Sequence, residues 1–196
     1  MSRVLGTVPG TRLFAHTRAV RYAALLRGIN VGGKALIPMS DLRECVTELG
    51  HAHVSTYIAS GNVIFEAPRR SAAALEAELE RAIEQRFELD VKVFVRTPAQ
   101  LEAVAAAVPK TWIGNKQLRC NGVFLARDID RPSLVAELEP KDEIEEVIYI
   151  KGALLWAAKV ASLTKSSMVK LSRRPEYKQM TVRNLNTTLK LRDLTT

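Results

Sequence analysis

The sequence predicts an α+β protein built as two tandem ferredoxin-like (βαββαβ) plaits with a helical C-terminal extension, and three observations predict it. From Val20 to Arg96 the hydrophobic period switches between strand-like and helix-like in the order β, α, β, β, α, β. Ser60-Gly61-Asn62 is a tight-turn signal between two β-rich runs, which marks a hairpin. Nearly the same order then recurs from Thr97 onward. The 196 residues suffice for one large domain or two small ones. The expected division is a flexible tail over 1–19, a first plait over 20–96, and a second over 97–196 that carries basic C-terminal helices.

Each element has its own signal. Residues 21–27, RYAALLR, form a short apolar run that suits a central strand covered on both faces. Ser40 is placed to cap a helix whose Leu42, Cys45, Val46 and Leu49 share one face and which stops at Gly50. Residues 54–59 and the run from Val63 are the hairpin strands. Ser71 is placed to cap a helix with Leu75, Leu79, Ile83 and Phe87 in one stripe, and Val91 to Arg96 is a strand again. In the second half, Thr97-Pro98 opens a connecting helix to Val108. Strands are expected at 118–126, 143–150 and 153–157, with helices at 130–138 and 162–171. Thr181-Val182-Arg183 reads as a last short strand, and 184–194 as a final helix with Leu185 and Leu189 inward.

Composition excludes several classes. With 47% hydrophobic and 26% charged residues the chain is of ordinary globular make-up, and no apolar run approaches the ~18 residues of a membrane span. Cys45 and Cys120 lie far apart without metal-ligand spacing, which points to a reducing, cytoplasmic setting without a structural metal. The net charge of +8 is unevenly spread, being +3 over 1–19, zero over 20–96, −2 over 97–158 and +7 over 159–196. The C-terminal excess is either a solvated face or an anion-binding surface.

Strand order then points to a site. In a plait the hairpin turn lies at the end of the sheet where the first strand stops. That brings Asn62 and Ser60 beside Arg27 and Asn30, with the backbone of Gly28, Gly32 and Gly33 and the Lys34 ammonium beyond. Such convergence at strand ends is the usual form of a small-ligand site. The alternative is that Arg27 and the asparagines satisfy loop backbone groups.

These residues also carry a resemblance. Leu26-Arg27-Gly28-Ile29-Asn30-Val31-Gly32-Gly33-Lys34, Thr56-Tyr57-Ile58 with Ser60-Gly61-Asn62-Val63, and Thr181 with Arg183-Asn184 and Thr187 resemble the bacterial family catalogued as domain of unknown function 1697. The resemblance covers Val20 to about Leu194, implies a pair of ferredoxin-like domains, and implies no activity or cofactor. It adds Tyr57, Arg183, Asn184 and Thr187 to the candidate ligand-binding residues.

Other motifs carry less. Gly28 to Lys34 fits the first seven positions of a phosphate-binding loop, but Ala35 stands where a magnesium-holding hydroxyl belongs. Ser162-Leu-Thr-Lys165 and Ser167-Met-Val-Lys170 both match SxxK without the companion motifs of acyl transfer. The histidines offer no third metal ligand. The first plait lacks the sheet aromatics of an RNA-recognition module, so its open face is expected to pack on the second. The leading expectation is a small phosphate-bearing or nucleotide-like anion bound in an inter-domain cleft with Arg27, Lys34 and Arg183 supplying charge. The competing ones are nucleic-acid binding by 159–196 and an enzyme at the same cleft, for which no acid–base pair or activated nucleophile is identified.

Overall fold

The computed structural model describes residues 19–33 and 35–196, so the tail expectation for 1–18 and everything expected of Lys34 lie outside the described residues. The architecture is mixed α+β with two four-stranded antiparallel sheets. The elements run β1 (Ala19–Leu26), α1 (Met39–Glu48), β2 (Ala52–Thr56), β3 (Asn62–Pro68), α2 (Ala72–Phe87), β4 (Val93–Arg96) and α3 (Pro98–Ala106). The second half runs β5 (Leu118–Leu125), α4 (Leu134–Leu138), β6 (Glu145–Ile150), β7 (Ala153–Lys159), α5 (Ser167–Leu171), β8 (Met180–Asn184) and α6 (Leu185–Thr195). The first sheet has the order β2-β3-β1-β4 and the second β6-β7-β5-β8, the same arrangement twice.

The apolar residues divide into three layers. Tyr22, Ala24 and Leu26 of β1 and Val63 and Phe65 of β3 face Leu42 and Val46 of α1 and Leu75, Leu79 and Ile83 of α2. Alternate residues of the same strands, Ala23, Leu25 and Ile64, point the other way, as the two-residue period of a strand requires. They join Phe94, then Phe124, Leu155 and Ala157 of the second sheet, with Leu101 and Val104 of α3 and Leu185 and Leu191 of α6. The third cluster holds Val123, Leu125 and Leu154 against α4 and α5. The middle layer is therefore shared by both halves, and the helix-free face of the first sheet packs on the second half, as the lack of sheet aromatics led one to expect. Gly122 permits this closure: a Cβ there would meet Thr188 Oγ1 of α6 at 2.7 Å.

Several elements depart from the sequence expectation for local reasons. Helix α1 starts at Met39 behind Pro38, and Ser40, expected as its cap, lies inside the first turn and donates to Asp41 Oδ1. The helix expected over 130–138 is a 3-10 turn at Arg127–Ile129 followed by the single-turn α4, because Pro132 has no N–H to continue a helix through it. The helix expected over 162–171 splits into a 3-10 stretch, Val160–Lys165, and α5, with Ser166 extended between them (φ −73°, ψ 158°). Ser71 and Thr97 cap α2 and α3 as read, Thr97 in a reciprocal capping box with Gln100.

Two buried polar groups brace the second half, one from within it and one from the first half. Glu145 accepts from Lys141 N, Trp156 Nε1, Ser167 N and Ser167 Oγ at 2.9–3.0 Å, which anchors the start of α5 to β6 and β7. Desolvation works against its charge, but these donors together leave its carboxyl below the usual range. Arg96, at the end of β4, donates from Nη2 to Leu125 O (2.6 Å) and Gly152 O (3.0 Å), and its Nε has no partner.

Candidate functional site

Strand β1 stops where β3 starts, with Leu25 paired to Asn62, so the glycine loop after Leu26 and the 57–61 turn share one end of the first sheet. Asn30 joins them. Its Nδ2 donates to Ile37 O and Ala59 O, each at 2.9 Å, and its Oδ1 accepts from Ile37 N at 2.8 Å. Loop and turn are thus fixed by one amide whose own backbone sits in the left-handed region (φ 55°), where asparagine is tolerated.

Arg183 reaches this end from β8. Its Nε donates to Asn62 Oδ1 (2.6 Å), its Nη1 to Thr181 Oγ1 and Val182 O (both 2.9 Å), and its Nη2 to Leu26 O (2.8 Å), Ser60 O (3.0 Å) and Gly61 O (3.1 Å). Asn62 is fully buried and its Nδ2 donates to Tyr57 O (2.9 Å) and Ser60 Oγ (3.2 Å). Burial pushes the Arg183 guanidinium down to about 10, which leaves it charged at neutral pH. Every N–H of Arg183 is directed at the protein itself. Arg183, Asn62 and Asn30, expected to face a ligand, build the wall that closes the turn.

The remaining candidates separate along β8. Asn184 caps α6, accepting from Thr187 N at 2.8 Å, and Thr187 is buried in that helix, so both lie at the end of β8 opposite Arg27. Gly28, Gly32 and Gly33 are exposed and all take positive φ (72°, 60° and 73°), leaving the loop backbone open to solvent. Tyr57 pairs its main chain with Asn62. Ser60 accepts from Asn62 and Arg183.

Arg27 differs from Arg183. Its Nε donates to Met180 O at 3.0 Å and its guanidinium lies over the Tyr177 ring, 5.3 Å from the centroid, while no described residue takes its Nη hydrogens. It forms one side of a cavity of about 430 Å³ lined otherwise by Ser172, Arg173, Arg174, Pro175, Tyr177 and Lys178. Among the described lining residues four are cations and none is a carboxylate. Sequence reading named the basic 159–196 stretch as a possible anion-binding surface but picked out no residue of 172–178, where Arg173-Arg174 was the signal.

Other chemistry is sparse. Among the described residues no group of three or more His, Cys, Asp or Glu is placed to hold a metal ion, and no helix is long and apolar enough to cross a membrane. Ser167, the better placed of the SxxK serines, donates its hydroxyl to Glu145. Cys45 and Cys120 are free and buried, and burial pushes both thiols up, away from nucleophilic thiolate.

Comparison with known proteins adds kinship without chemistry. No curated protein matches the chain. It is similar to a solved structure, the conserved bacterial protein SP0830 from Streptococcus pneumoniae, at 29% identity and a TM-score of 0.78, covering 91% of this chain and 99% of that one. The profile of the family described as "Protein of unknown function (DUF1697)" matches residues 20–156, which span the glycine loop, the Ser60-Gly61-Asn62 turn and most of both sheets. The chain belongs to that family, DUF1697.

Proposed function

We propose that the protein is a cytoplasmic binder of a small phosphate-bearing or nucleotide-like anion, held in the cleft between two tandem ferredoxin-like plaits, 20–96 and 97–196. The observation that carries this reading is the acid-free cavity between Arg27 of the first half and Arg173, Arg174 and Lys178 of the second. Guanidinium groups bind phosphate through charge-assisted, often bidentate hydrogen bonds. Arg27 is the best prepared of the four, since Tyr177 beneath it and Met180 O beside it fix its plane. Arg183 supports the site by holding the turn at its back. The repeated strand order, β2-β3-β1-β4 and β6-β7-β5-β8, supports the tandem-plait reading.

Calorimetric titration of the full chain at low salt with inorganic phosphate, pyrophosphate and ADP tests this. Pyrophosphate or ADP binds more tightly than phosphate, and Arg27→Ala and Arg173→Ala each weaken binding by roughly tenfold, with a non-additive double variant. If none of the three anions binds, or if neither variant changes affinity, the reading is overturned. Tight binding of oligonucleotides with a steep salt dependence would favour nucleic acid instead.

A further inference from the structure

A second and larger cavity, about 580 Å³, opens at the other end of β8. It lies between the segment leading into β5, the start of the 3-10 stretch after β7, and the first residues of α6. The apolar part of its lining is Trp112, Leu118, Val160 and Leu185, with the Cys120 thiol among them. Its polar part is Asn115, Lys116, Arg119, Asn184 and Asn186, again with no carboxylate among the described lining residues.

The two cavities differ in the residues that line them. The inter-half cleft is lined by four cations with Tyr177, Pro175 and Ser172, whereas this one sets two cations beside Trp112, Leu118, Val160 and Leu185. Lys116 and Arg119 are exposed, and among the described residues neither is held in an ion pair. The loop that carries Lys116 has a fixed form, because Asn115 donates from Nδ2 to Thr111 O (3.2 Å) and accepts at Oδ1 from Gln117 N (2.9 Å). Trp112 is tied by its Nε1 to Glu146 (3.2 Å), so the wall it forms is anchored from behind. The volume falls within the range of small-molecule sites, which combine an apolar lining with a few placed polar groups.

From this juxtaposition we infer that the cavity is a binding site for a singly charged organic anion with an apolar body, an aryl or short-chain acyl carboxylate. Arg119 and Lys116 receive the carboxylate, Asn186 offers its amide at the rim, and the ligand body lies against Trp112, Leu118, Val160 and Leu185. Binding is non-covalent, for the only thiol in the lining is buried and protonated at neutral pH. This inference is independent of the anion cleft at Arg27.

The test is titration of the full chain, by calorimetry and by ligand-observed NMR, with acetate, butyrate, hexanoate, benzoate and the uncharged benzamide. Affinity should rise about fourfold per methylene from acetate to hexanoate, the factor expected when each methylene leaves water. Benzoate should bind at least about tenfold more tightly than benzamide, and Arg119→Ala should weaken hexanoate by about tenfold. Arg119 and Lys116 are exposed, so both alanine variants fold, which an unchanged melting temperature verifies. Arg27→Ala leaves hexanoate binding unchanged, which separates this site from the cleft. Equal binding of acetate and hexanoate, equal binding of benzoate and benzamide, indifference to both Arg119→Ala and Lys116→Ala, or no saturable binding up to about 10 mM would each overturn the inference.

Discussion

Arg96 and Arg183 make the same contact in opposite directions. Arg183, from the last strand of the second sheet, donates to Leu26 O and Gly61 O of the first half. Arg96, from the last strand of the first sheet, donates to Leu125 O and Gly152 O of the second. Leu26 N and Leu125 N donate to those same glycine carbonyls, at 2.8 and 3.0 Å. The two halves are thus locked by a reciprocal exchange of arginines, each immediately before the capping residue of α3 or α6. The exchange is unequal: Arg183 Nε meets Asn62, and its Nη1 and Nη2 also reach Thr181 Oγ1 and Ser60 O, whereas Ala153 stands after Gly152 and Arg96 Nε has no partner.

Removing Arg183 therefore costs more than removing Arg96. Arg183→Ala strips partners from buried carbonyls and from Asn62, with an expected loss of roughly 3–5 kcal/mol, and Arg183→Lys does not restore it because an ammonium cannot match the fork. Asn62→Ala reproduces the unpartnered Nε already present in Arg96 and costs about 1–3 kcal/mol. Urea denaturation monitored by circular dichroism ranks the three variants against Arg96→Ala.

The turn glycine is expected to be the most sensitive glycine of the glycine-loop end. A Cβ on Gly61 would lie 2.7 Å from Ile29 Cδ1 at a backbone φ of 75°, whereas one on Gly28 would meet nothing within 4 Å. Gly28→Ala costs about 1 kcal/mol, from backbone strain alone. Gly61→Ala exceeds it by at least about 1 kcal/mol, the lower end of the cost of overpacking a core. Melting temperatures of the two variants decide this.

Acid should destabilise the protein in two stages. Burial lowers the His51 pKa below 6.5 despite Glu78 nearby, so the folded state resists protonation, and stability is lost as pH falls from 6.5 toward the folded value. Glu145 and Asp130 are depressed below 4.5 and 3.8; their stabilisation is present above those values and is lost as pH falls through the folded ones. His51→Leu should flatten the first stage and Glu145→Gln the second, as read from melting temperature against pH.

The legible parts of this molecule were those written in short-range pattern. The βαββ order from Val20, the caps at Ser71 and Thr97 and the hairpin at Ser60-Gly61-Asn62 follow from periodicity and turn chemistry, and they carried the end-of-strand position of Arg27 with them. Residues 130–138 and 162–171 read as continuous helices because apolar spacing is blind to the break at Pro132 and to Ser166 turning extended. Arg183 was legible as a functional-looking arginine but not as a buried one. Three of its partners, the carbonyls of Leu26, Ser60 and Gly61, lie more than 120 residues away in sequence, and a main-chain oxygen leaves no trace in composition. The segment 172–178 showed its charge and hid its location, which only the packing of β8 beside β5 supplies.

The shared middle layer also sets an order of events during synthesis. Ala23, Leu25, Ile64 and Phe94 are made before the residues that cover them from the second half and before the Arg183 that seals the 57–61 turn. A nascent chain that has completed only β1 to β4 presents an uncovered sheet face and a 57–61 turn without its guanidinium, and it does so until the second sheet, Arg183 and α6 arrive. Loss of the stretch from Arg183 onward therefore removes both the guanidinium that seals the turn and the Leu185 and Leu191 that help cover Ala23, Leu25 and Ile64.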